Sequence, residues 1–356
     1  MNSPTYMDVV DALSRAGVPI RQLQGLGHIA VTLAAGRIVA MSFSSRGPNL
    51  LWSNAELPNT DLVRTHPERL VGGFGGDRLW FAPEIAYHWK GPPRWDTFAN
   101  YQVPAATDPG NYQFVESRQG AVTLRAAGQL TDHATHGQVR FEVQRTIQLI
   151  PAPLPDNDPL MNGIEYLGIR TSHVLKLDPT TTAGRIGLWH LLQMPVGSVL
   201  VVPLKDSAPT RDKVPLSYAL PGGWLEKSDH IRWRYTGTAS AKFGLSASAL
   251  TGHSAVLRQL GTDQFCLIVR QFPVDERAMY VDHPHGVARA DQAFQAWDGL
   301  GFGEMEFHGR ALDAVRGPRE LEESDDLWAF GGSPAAIGPL TQKLLGIDVA
   351  DVLKGT

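Results

Sequence analysis

The sequence predicts an all-β protein built from two large antiparallel sheets that pack face to face. Between residues 20 and 330, short segments that alternate apolar and polar residues follow one another, and no convincing long helix interrupts them. The segment 138–150 alternates along its whole length, which is typical of a long, half-buried strand. The chain also contains 36 glycines and 25 prolines, which favour strands and turns over helices. Two layered sheets are the expected way to bury so many alternating strands.

The predicted elements begin with a short N-terminal helix. The segment Tyr6–Ala16 carries apolar residues at helical spacing, and Gly17 and Pro19 then end the helix. After the strands, the segment 334–353 returns to a helical pattern. The predicted strands between the two helices cover residues 28–33, 37–43, 121–125, 138–150, 165–177, 186–194, 198–203, 231–235, 264–271, 278–282, 301–308 and 326–330.

The whole chain is predicted to form a single domain. The proline-rich segment 151–159 has strands of the same kind on both sides, so we interpret it as a loop rather than as a linker. No repeat of fixed period appears. The predicted boundaries are an N-terminal helix within residues 1–19, a β-sandwich over 20–330 and a C-terminal helix over 334–353, all within one domain over 1–356.

Composition and charge narrow the classes of function. The formal net charge is −4 and no basic run occurs, so neither nucleic acid nor an anionic membrane is implied as a partner. No secretory signal is visible, and no apolar stretch reaches membrane-spanning length, so the expected location is the cytoplasm. The single cysteine, Cys266, lies in an apolar strand and is interpreted as a buried small hydrophobe.

A glycine-rich segment, Val71–Glu84, is the most informative stretch of the chain. Its four glycines leave the backbone bare enough for a ligand or another strand to approach closely. Arg78, Trp80 and Glu84 follow, and they offer a planar fork of donors, a flat apolar ring and a carboxylate. A sugar needs such groups, because it presents hydroxyls at its rim and C–H groups on its faces. A glycine-rich hairpin or bulge, with Arg78 in a structural ion pair, is the alternative interpretation.

A family resemblance is carried by five segments in order along the chain. They are Gly36–Met41, Asn49–Asn54, Gly75–Glu84, Gly187–Gln193 and Phe302–His308. Their residues resemble aldose 1-epimerase (galactose mutarotase)-like proteins, especially an uncharacterised bacterial branch. The resemblance implies a β-supersandwich with short terminal helices. It also implies a carbohydrate-active protein, a small sugar or oligosaccharide as its partner, and chemistry that requires no cofactor.

The late strand, Gly301–Gly309, concentrates groups that could perform chemistry. Because side chains alternate along a strand, one face carries two carboxylates and an imidazole in a row. Such a row can share a proton, bind a cation or hold sugar hydroxyls, although a solvated polar face is the alternative. The residues on this face are Phe302, Glu304, Glu306 and His308.

Two histidines compete for the role of acid. His190 lies in the segment that resembles the strand carrying the catalytic histidine of true mutarotases, and Gln193 follows it on the opposite face. His173 is the second candidate. Burial would lower the pKa of either imidazole and leave it neutral or poised near neutrality, as acid–base catalysis requires. A buried histidine with a purely structural role is the alternative.

Further candidates lie in the predicted loops. His88, together with the segment 94–96, is predicted to rim a pocket, and Asp282 with His283 and His285 is predicted to form a second wall. Asp132, His133 and His136 could offer ligands to a metal ion, but they lie in a predicted hairpin turn with no further ligand residue nearby. We therefore predict no metal site.

The leading hypothesis is an isomerase that interconverts sugar anomers. Glu304 or Glu306 would remove the proton of the anomeric hydroxyl, and His190 would protonate the ring oxygen. Arg78 would anchor a hydroxyl or an acidic substituent, and all four side chains are predicted to line one cavity. The other predicted substrate-binding residues are Trp80, Glu84, His88, His173, Gln193, Asp282 and His308.

Two other functions remain open. The compact asparagine–arginine–isoleucine and paired-histidine patterns of epimerases are absent, which favours a sugar-binding or regulatory protein without catalysis. A glycoside-cleaving enzyme would need two carboxylates about 5–10 Å apart, and Glu304 with Glu306 or Glu84 could supply them.

Overall fold

The computed structural model describes residues 4–90, 100–133, 135–155, 157–206, 216–217, 224–282 and 292–354. Over these residues the chain forms two large antiparallel sheets, which we call sheet A and sheet B. Sheet A contains β1 (Ile20–Gln24), β2 (His28–Thr32), β3 (Ile38–Ser42), β4 (Asp77–Ala82), β9 (Arg185–Pro195), β11 (Leu216–Ser217), β14 (Ala241–Ser246), β17 (Gln292–Gly299) and β18 (Phe302–Asp313). Sheet B contains β5 (Gln113–Arg118), β6 (Ala121–Thr131), β7 (Gln138–Leu149), β8 (Glu165–Leu177), β10 (Val199–Pro203), β12 (Trp224–Glu226), β13 (His230–Arg234), β15 (His253–Gly261), β16 (Gln264–Gln271) and β19 (Glu320–Gly332). The predicted all-β, two-layer architecture is confirmed.

The strand order brings together segments that lie far apart in the sequence. In sheet A the order is β1-β2-β3-β4-β9-β18-β17-β14-β11, and in sheet B it is β12-β13-β10-β15-β16-β19-β8-β7-β6-β5. Apolar side chains from the facing surfaces of both sheets form one large core between them. The predicted strand 138–150 is β7, whose buried and exposed residues alternate as expected. The predicted strand 278–282 is wrong, because these residues form a loop in which the Tyr280 hydroxyl accepts the Asp275 N–H.

Short helices cover the outer faces of the two sheets. The N-terminal helix is α1 (Tyr6–Arg15), and Thr5 and Asp8 close a capping box at its start. Two further short helices, α2 (Thr60–Thr65) and α3 (Glu84–His88), lie between strands of sheet A. The part of the chain that the structure describes contains no helix long and apolar enough to cross a membrane.

The predicted C-terminal helix is divided in two. It forms α4 (Pro334–Leu345) and α5 (Ala350–Leu353), which pack with apolar residues of sheet B. The division occurs because Gly346 adopts a left-handed conformation, with φ of 73°, and caps α4.

The glycine-rich segment makes a close approach that requires glycine. Gly75 and Gly76 have φ angles of 93° and 89°, a region that favours glycine. A Cβ atom would lie 2.2 Å from the carbonyl oxygen of Trp52 at the first position and 2.0 Å from that of Ile38 at the second. The glycine-rich segment therefore packs directly against the backbone of Trp52 and Ile38 just before β4 begins.

Candidate functional site

A cavity of about 1050 Å³ lies on the face of sheet A that points away from sheet B. This volume suits a small ligand, since ligand pockets commonly measure about 300–1,000 Å³. Apolar residues near α1 and α2 form one end of the cavity, and the polar end lies over β4, β9, β14 and β18. The charged and aromatic residues of the lining include Arg37, Arg78, Trp80, Glu84, Tyr101, Asp108, Trp189, Lys242, Trp297, Phe302 and Glu304.

Cross-strand register brings these side chains together. Lys242 pairs with Trp297, and Trp297 pairs with Glu304, so three neighbouring strands contribute one row of side chains. In the same way, Trp80 of β4 lies opposite Trp189 of β9. Directly opposite residues in an antiparallel pair have Cβ atoms about 5 Å apart. The polar end of the cavity is therefore centred on a compact patch of the sheet surface, and Arg37, Glu84, Tyr101 and Asp108 of the flanking segments complete it.

Arg78 lies in the cavity wall and in an ion pair at the same time. Its Nη2 donates to Oε1 of Glu304 over 2.6 Å, and its guanidinium lies 3.8 Å from the ring centre of Trp80. The sequence left a ligand-binding Arg78 and a structural Arg78 as alternatives; in the structure Arg78 forms an ion pair, and that pair borders the cavity. Burial raises the pKa of Glu304, while the charges of Arg78 and Lys242 oppose that shift.

Lys242 holds two carboxylates at the bottom of the cavity. Its Nζ lies 3.1 Å from Oε2 of Glu306 and 3.3 Å from Oε2 of Glu84. The indole N–H of Trp189 also donates to Oε2 of Glu306, over 2.8 Å. Burial raises the pKa of Glu306 to about 8, although Lys242 opposes the shift. Glu306 is 1% exposed and lies beneath the cavity lining, so Glu304 rather than Glu306 borders the cavity.

A second ion pair closes the cavity wall near the glycine-rich segment. Nη2 of Arg37 donates to Oδ2 of Asp108 over 2.7 Å, and the indole N–H of Trp80 donates to the same oxygen over 3.2 Å. Gln193 lies behind this pair, where its Oε1 accepts from Arg37 and its amide donates to the carbonyl of Gly72. Gln193 therefore supports the wall and does not line the cavity in this structure.

His88 supports the wall from behind. It is fully buried, its ring lies 5.2 Å from that of Trp80, and its Nδ1 lies 3.1 Å from the hydroxyl of Tyr101. That hydroxyl donates to Oε1 of Glu84 over 3.2 Å. Burial lowers the pKa of His88 to about 4, so the imidazole is neutral near pH 7.

Asp282 and His308 also lie behind the lining. Oδ1 of Asp282 accepts the backbone N–H of Glu84 over 2.9 Å and so positions the start of α3. Its Oδ2 accepts from Gln295 and lies 3.7 Å from Nε2 of His308. The predicted wall residues 94–96, His283 and His285 lie outside the described residues.

The structure does not place His190 or His173 in the cavity. His190 lies opposite Leu79 of β4 and Phe307 of β18, and these residues belong to the core between the sheets. The two histidine rings lie 4.6 Å apart in that interior. The prediction that His190 shares a cavity with Arg78 is therefore wrong. The physical reason is strand alternation, since Trp189 occupies the cavity face and its neighbour must point the other way.

The interior around these histidines is a cluster of buried charges. Asp77 of β4 accepts hydrogen bonds from both Arg145 of β7 and Arg270 of β16 and so connects the two sheets. Burial alone would raise the pKa of Asp77, but the two guanidiniums hold it below its ordinary value. Oδ2 of Asp325 lies 3.4 Å from Nε of Arg270. We call Asp77, Arg145, His173, His190, Arg270, Glu323 and Asp325 the interior cluster.

Sequence reasoning missed several cavity residues. Lys242, Tyr101, Asp108 and Trp297 lie in segments that showed no motif. Arg37 lay within one of the segments that carried the family resemblance, but no role was assigned to it. Its position before an apolar strand, in the segment Gly36–Met41, was the one available signal.

Comparisons with known proteins identify the fold. The model of a family described as "Family of unknown function (DUF6786)" matches residues 5–294, and no curated protein matches the chain. The chain is similar to a solved galactose mutarotase-like protein from Lactobacillus casei ATCC 334, with 8% identity and a TM-score of 0.52, over 87% of this chain and 100% of that one. The chain is also similar to a galactose mutarotase-like protein from Clostridium acetobutylicum, with 10% identity and a TM-score of 0.44, over 88% of this chain and 98% of that one. A third similar structure is a putative aldose 1-epimerase from Klebsiella pneumoniae subsp. pneumoniae MGH 78578, with 11% identity and a TM-score of 0.44, over 96% of this chain and 91% of that one. The predicted galactose mutarotase-like fold is confirmed.

Proposed function

We propose that this chain, which belongs to the family of unknown function DUF6786, binds a sugar in the cavity of sheet A and interconverts its anomers by acid–base catalysis. The observation that carries the proposal is the juxtaposition of Glu304 and Lys242 in one cross-strand row of the lining. A base and a proton donor on one ligand-sized cavity are the groups that anomer interconversion requires.

The lining suits a polyhydroxylated ligand. The rings of Trp80, Trp189 and Trp297 offer apolar faces for the C–H side of a pyranose. Arg37 and Arg78 offer donors in a fixed planar geometry, while Asp108 and Glu84 offer acceptors for hydroxyls. Apolar surface and convergent polar groups occur together here, as in small-molecule sites generally.

The reaction can be written with residues that line the cavity. Glu304 removes the proton of the anomeric hydroxyl while Lys242 gives a proton to the ring oxygen, and the bond between C1 and that oxygen breaks. Rotation about C1–C2 then presents the other face of the aldehyde. The ring closes as the oxygen returns its proton to Lys242 and Glu304 returns a proton to the new anomeric hydroxyl. Arg78 positions the Glu304 carboxylate, and Lys242 takes the role that the sequence assigned to His190.

The charge state of the two groups agrees with these roles. Ionised Glu84, joined by Glu306 once it ionises above about pH 8, raises the pKa of Lys242 against the effect of burial, so Lys242 is an ammonium near pH 7. Burial raises the pKa of Glu304, which makes its carboxylate a stronger base than an exposed one. The ammonium polarises the ring oxygen before proton transfer, and this is electrostatic stabilisation as much as acid catalysis.

A sugar-binding protein without catalysis is the second candidate. One observation favours it: Glu304 is held by Arg78 at 2.6 Å, and Lys242 is held by Glu306 and Glu84. If a bound sugar leaves these ion pairs intact, neither group can exchange protons with it. The same cavity would then recognise a sugar and do nothing further to it.

The deciding experiment measures anomer interconversion directly. Freshly dissolved α-glucose, α-galactose and a uronic acid are followed by polarimetry with wild type, Glu304→Gln and Lys242→Met. The exposed ion pair of Glu320 and Lys176 supplies matched controls, Glu320→Gln and Lys176→Met. We expect each cavity variant to lose about 10²–10⁴-fold in rate, whereas the control variants retain the wild-type rate.

Binding measured on the same proteins separates the two candidates. If the wild type binds a sugar but anomer interconversion stays at the uncatalysed rate, the isomerase proposal is wrong and the sugar-binding candidate takes its place. Release of free sugar from an aryl glycoside would instead indicate cleavage, with Glu84 and Glu304 as the carboxylates in the lining.

A further inference from the structure

Four buried side chains converge between the sheets, away from the cavity. His190 extends inward from β9 of sheet A, while His173, Glu323 and Asp325 extend inward from β8 and β19 of sheet B. All four side chains are at most 3% exposed. The ring of Phe307 stacks on His190 at 3.9 Å and forms an apolar wall on one side.

The distances among these groups are short but exceed those of hydrogen bonds. Nδ1 of His190 lies 3.8 Å from Oδ1 of Asp325, and Nε2 of His190 lies 3.7 Å from Oε1 of Glu323. One ligand atom from each of His173, His190 and Asp325 lies within 4.8 Å of the other two. The imidazole of His190 thus has one carboxylate on each side.

The polar atoms of this group are poorly satisfied. Both ring nitrogens of His173 and both ring nitrogens of His190 have no hydrogen-bond partner within the described part of the chain. The carboxylates are partly satisfied, because the backbone N–H of Arg310 contacts Glu323 and the Thr171 hydroxyl donates to Oδ1 of Asp325. A buried polar group without a partner costs about 1–3 kcal/mol, and several of them together are rare in native proteins. Burial lowers the pKa of both histidines well below the ordinary value, so each imidazole keeps a lone pair near pH 7.

The backbone makes room for one of these carboxylates. A Cβ atom at Gly309 would lie 1.9 Å from Oε1 of Glu323. A glycine at this place in β18 is therefore what allows Glu323 of the facing sheet to reach His190. Sheet A thus contributes His190 and the space at Gly309, and sheet B contributes His173, Glu323 and Asp325.

We propose that His173, His190 and Asp325 bind one divalent transition-metal ion of the Zn²⁺ class, which ties sheet A to sheet B. Glu323 accepts a hydrogen bond from the ring nitrogen of His190 that does not bind the ion. A carboxylate on the outer nitrogen of a metal-bound histidine is a usual arrangement, since it fixes the tautomer and orientation of the ring.

The donor set and the geometry favour this class of ion. Two imidazoles and one carboxylate suit Zn²⁺ and its neighbours better than Mg²⁺ or Ca²⁺, which prefer oxygen ligands. With bonds of 2.0–2.1 Å, tetrahedral ligands lie about 3.3 Å apart, so the three side chains must close by about 1 Å on the ion. The ion also offsets part of the burial cost of Glu323 and Asp325, whose pKa values burial raises to about 8 and about 6.

The burial of the group indicates a structural ion. All its ligands lie in the core, and none lines the cavity. The ion would therefore enter while the chain folds, would resist chelators in the native protein, and would not touch a sugar. The proposal is independent of the proposed function of the cavity.

The test measures metal content in the full chain. Wild type is produced in cells supplied with Zn²⁺ or Co²⁺, washed with EDTA in the native state, and analysed by plasma mass spectrometry. We expect about one ion per chain and, for Co²⁺, a visible absorption from an ion bound by two nitrogen ligands and one oxygen ligand of the protein. His190→Gln and Asp325→Asn should lose the ion, whereas His66→Gln, which alters an exposed histidine, should keep it.

The wild type alone can overturn the proposal. Folded protein that holds less than about 0.1 ion per chain after production with either metal shows that protein groups or water satisfy these side chains instead. Should the His190 and Asp325 variants fail to fold, the Co²⁺ spectrum of wild type still decides, because ions on surface sites are removed by the EDTA wash.

Discussion

The cavity and the interior cluster are built from neighbouring residues of the same strands. In β4, Asp77 points between the sheets and Arg78 points into the cavity; in β9, His190 points inward and Trp189 outward. Both regions contain buried charges on a common strand framework. They differ in what each charge faces, since the cavity charges border a space of ligand size and the interior charges lie buried between the two sheets.

This comparison shows that burial alone does not distinguish a charged side chain that borders the cavity from one that connects the two sheets. Arg78 and Arg270 are both nearly inaccessible, and both are paired with a carboxylate. Arg78 lies on an aromatic ring at the edge of a cavity, whereas Arg270 shares Asp77 with Arg145 and connects two sheets. We therefore expect substitutions in the interior cluster to lower stability and substitutions in the cavity to lower ligand binding.

The largest expected effect on the free energy of unfolding comes from removing the carboxylate of Asp77. Asp77→Ala leaves Arg145 and Arg270 without their shared carboxylate in the interior, and breaking a buried pair in this way costs about 3–5 kcal/mol. Asp326→Ala is the matched control, because Asp326 binds through two hydrogen bonds to Arg170, which is 53% exposed and stays solvated when the carboxylate is lost. That variant should lose only about 0–1 kcal/mol. Urea unfolding measures both, and equal losses would contradict the contrast between interior and surface.

The next effect is a pH dependence that Glu306 imposes on stability. Its pKa is about 8 in the folded chain and about 4.3 in an unfolded one. Between these values the folded state binds more protons, so the free energy of unfolding falls as pH rises. Relative to Glu306→Gln, wild type should lose up to a few kcal/mol from about pH 4.5 to about pH 8. The measurement is urea unfolding at several pH values, with the exposed Glu320→Gln as control; a pH-independent difference would show that Glu306 ionises normally.

A smaller effect is expected from Arg78→Lys. The substitution keeps the charge beside Glu304 but removes the planar fork that lies on Trp80. Sugar affinity should fall about tenfold, equivalent to about 1.4 kcal/mol, with little change in unfolding. Calorimetric titration measures the affinity, and Arg170→Lys at the surface is the control. Unchanged affinity would place Arg78 with the structural arginines.

The smallest effect is expected from Tyr101→Phe. The substitution removes a hydroxyl that donates to Glu84 and lies 3.1 Å from Nδ1 of His88. A lost hydrogen bond of this kind costs about 1 kcal/mol, and sugar affinity should change only severalfold. Tyr280→Phe, which removes a hydroxyl outside the cavity lining, is the control. A loss as large as that of Asp77→Ala would show that the cavity wall is as critical to folding as the interior.

Much of the fold could be predicted because it depends on periodicity. The alternation in β7 and the capped helix α1 are local patterns, and both lie where the sequence placed them. The division at Gly346 was missed because a single glycine within a helical pattern can either continue or cap a helix. The segment 278–282 was wrongly predicted as a strand; it forms a loop in which the Tyr280 hydroxyl accepts the N–H of Asp275, five residues earlier.

The sequence by itself determined the fold class, the short terminal helices, the face of β18 that carries Glu304 and Glu306, and the cluster of Arg78 and Trp80. Each follows from periods of 2 or 3.6 residues that any segment carries within itself. Only the tertiary structure decided that Glu306 lies under the lining, that Lys242 and Glu304 lie in one cross-strand row on either side of Trp297, and that His190 meets His173 and Asp325. Those outcomes depend on strand order and register between different segments of the chain, and a one-residue change of register moves a side chain to the other face of its sheet.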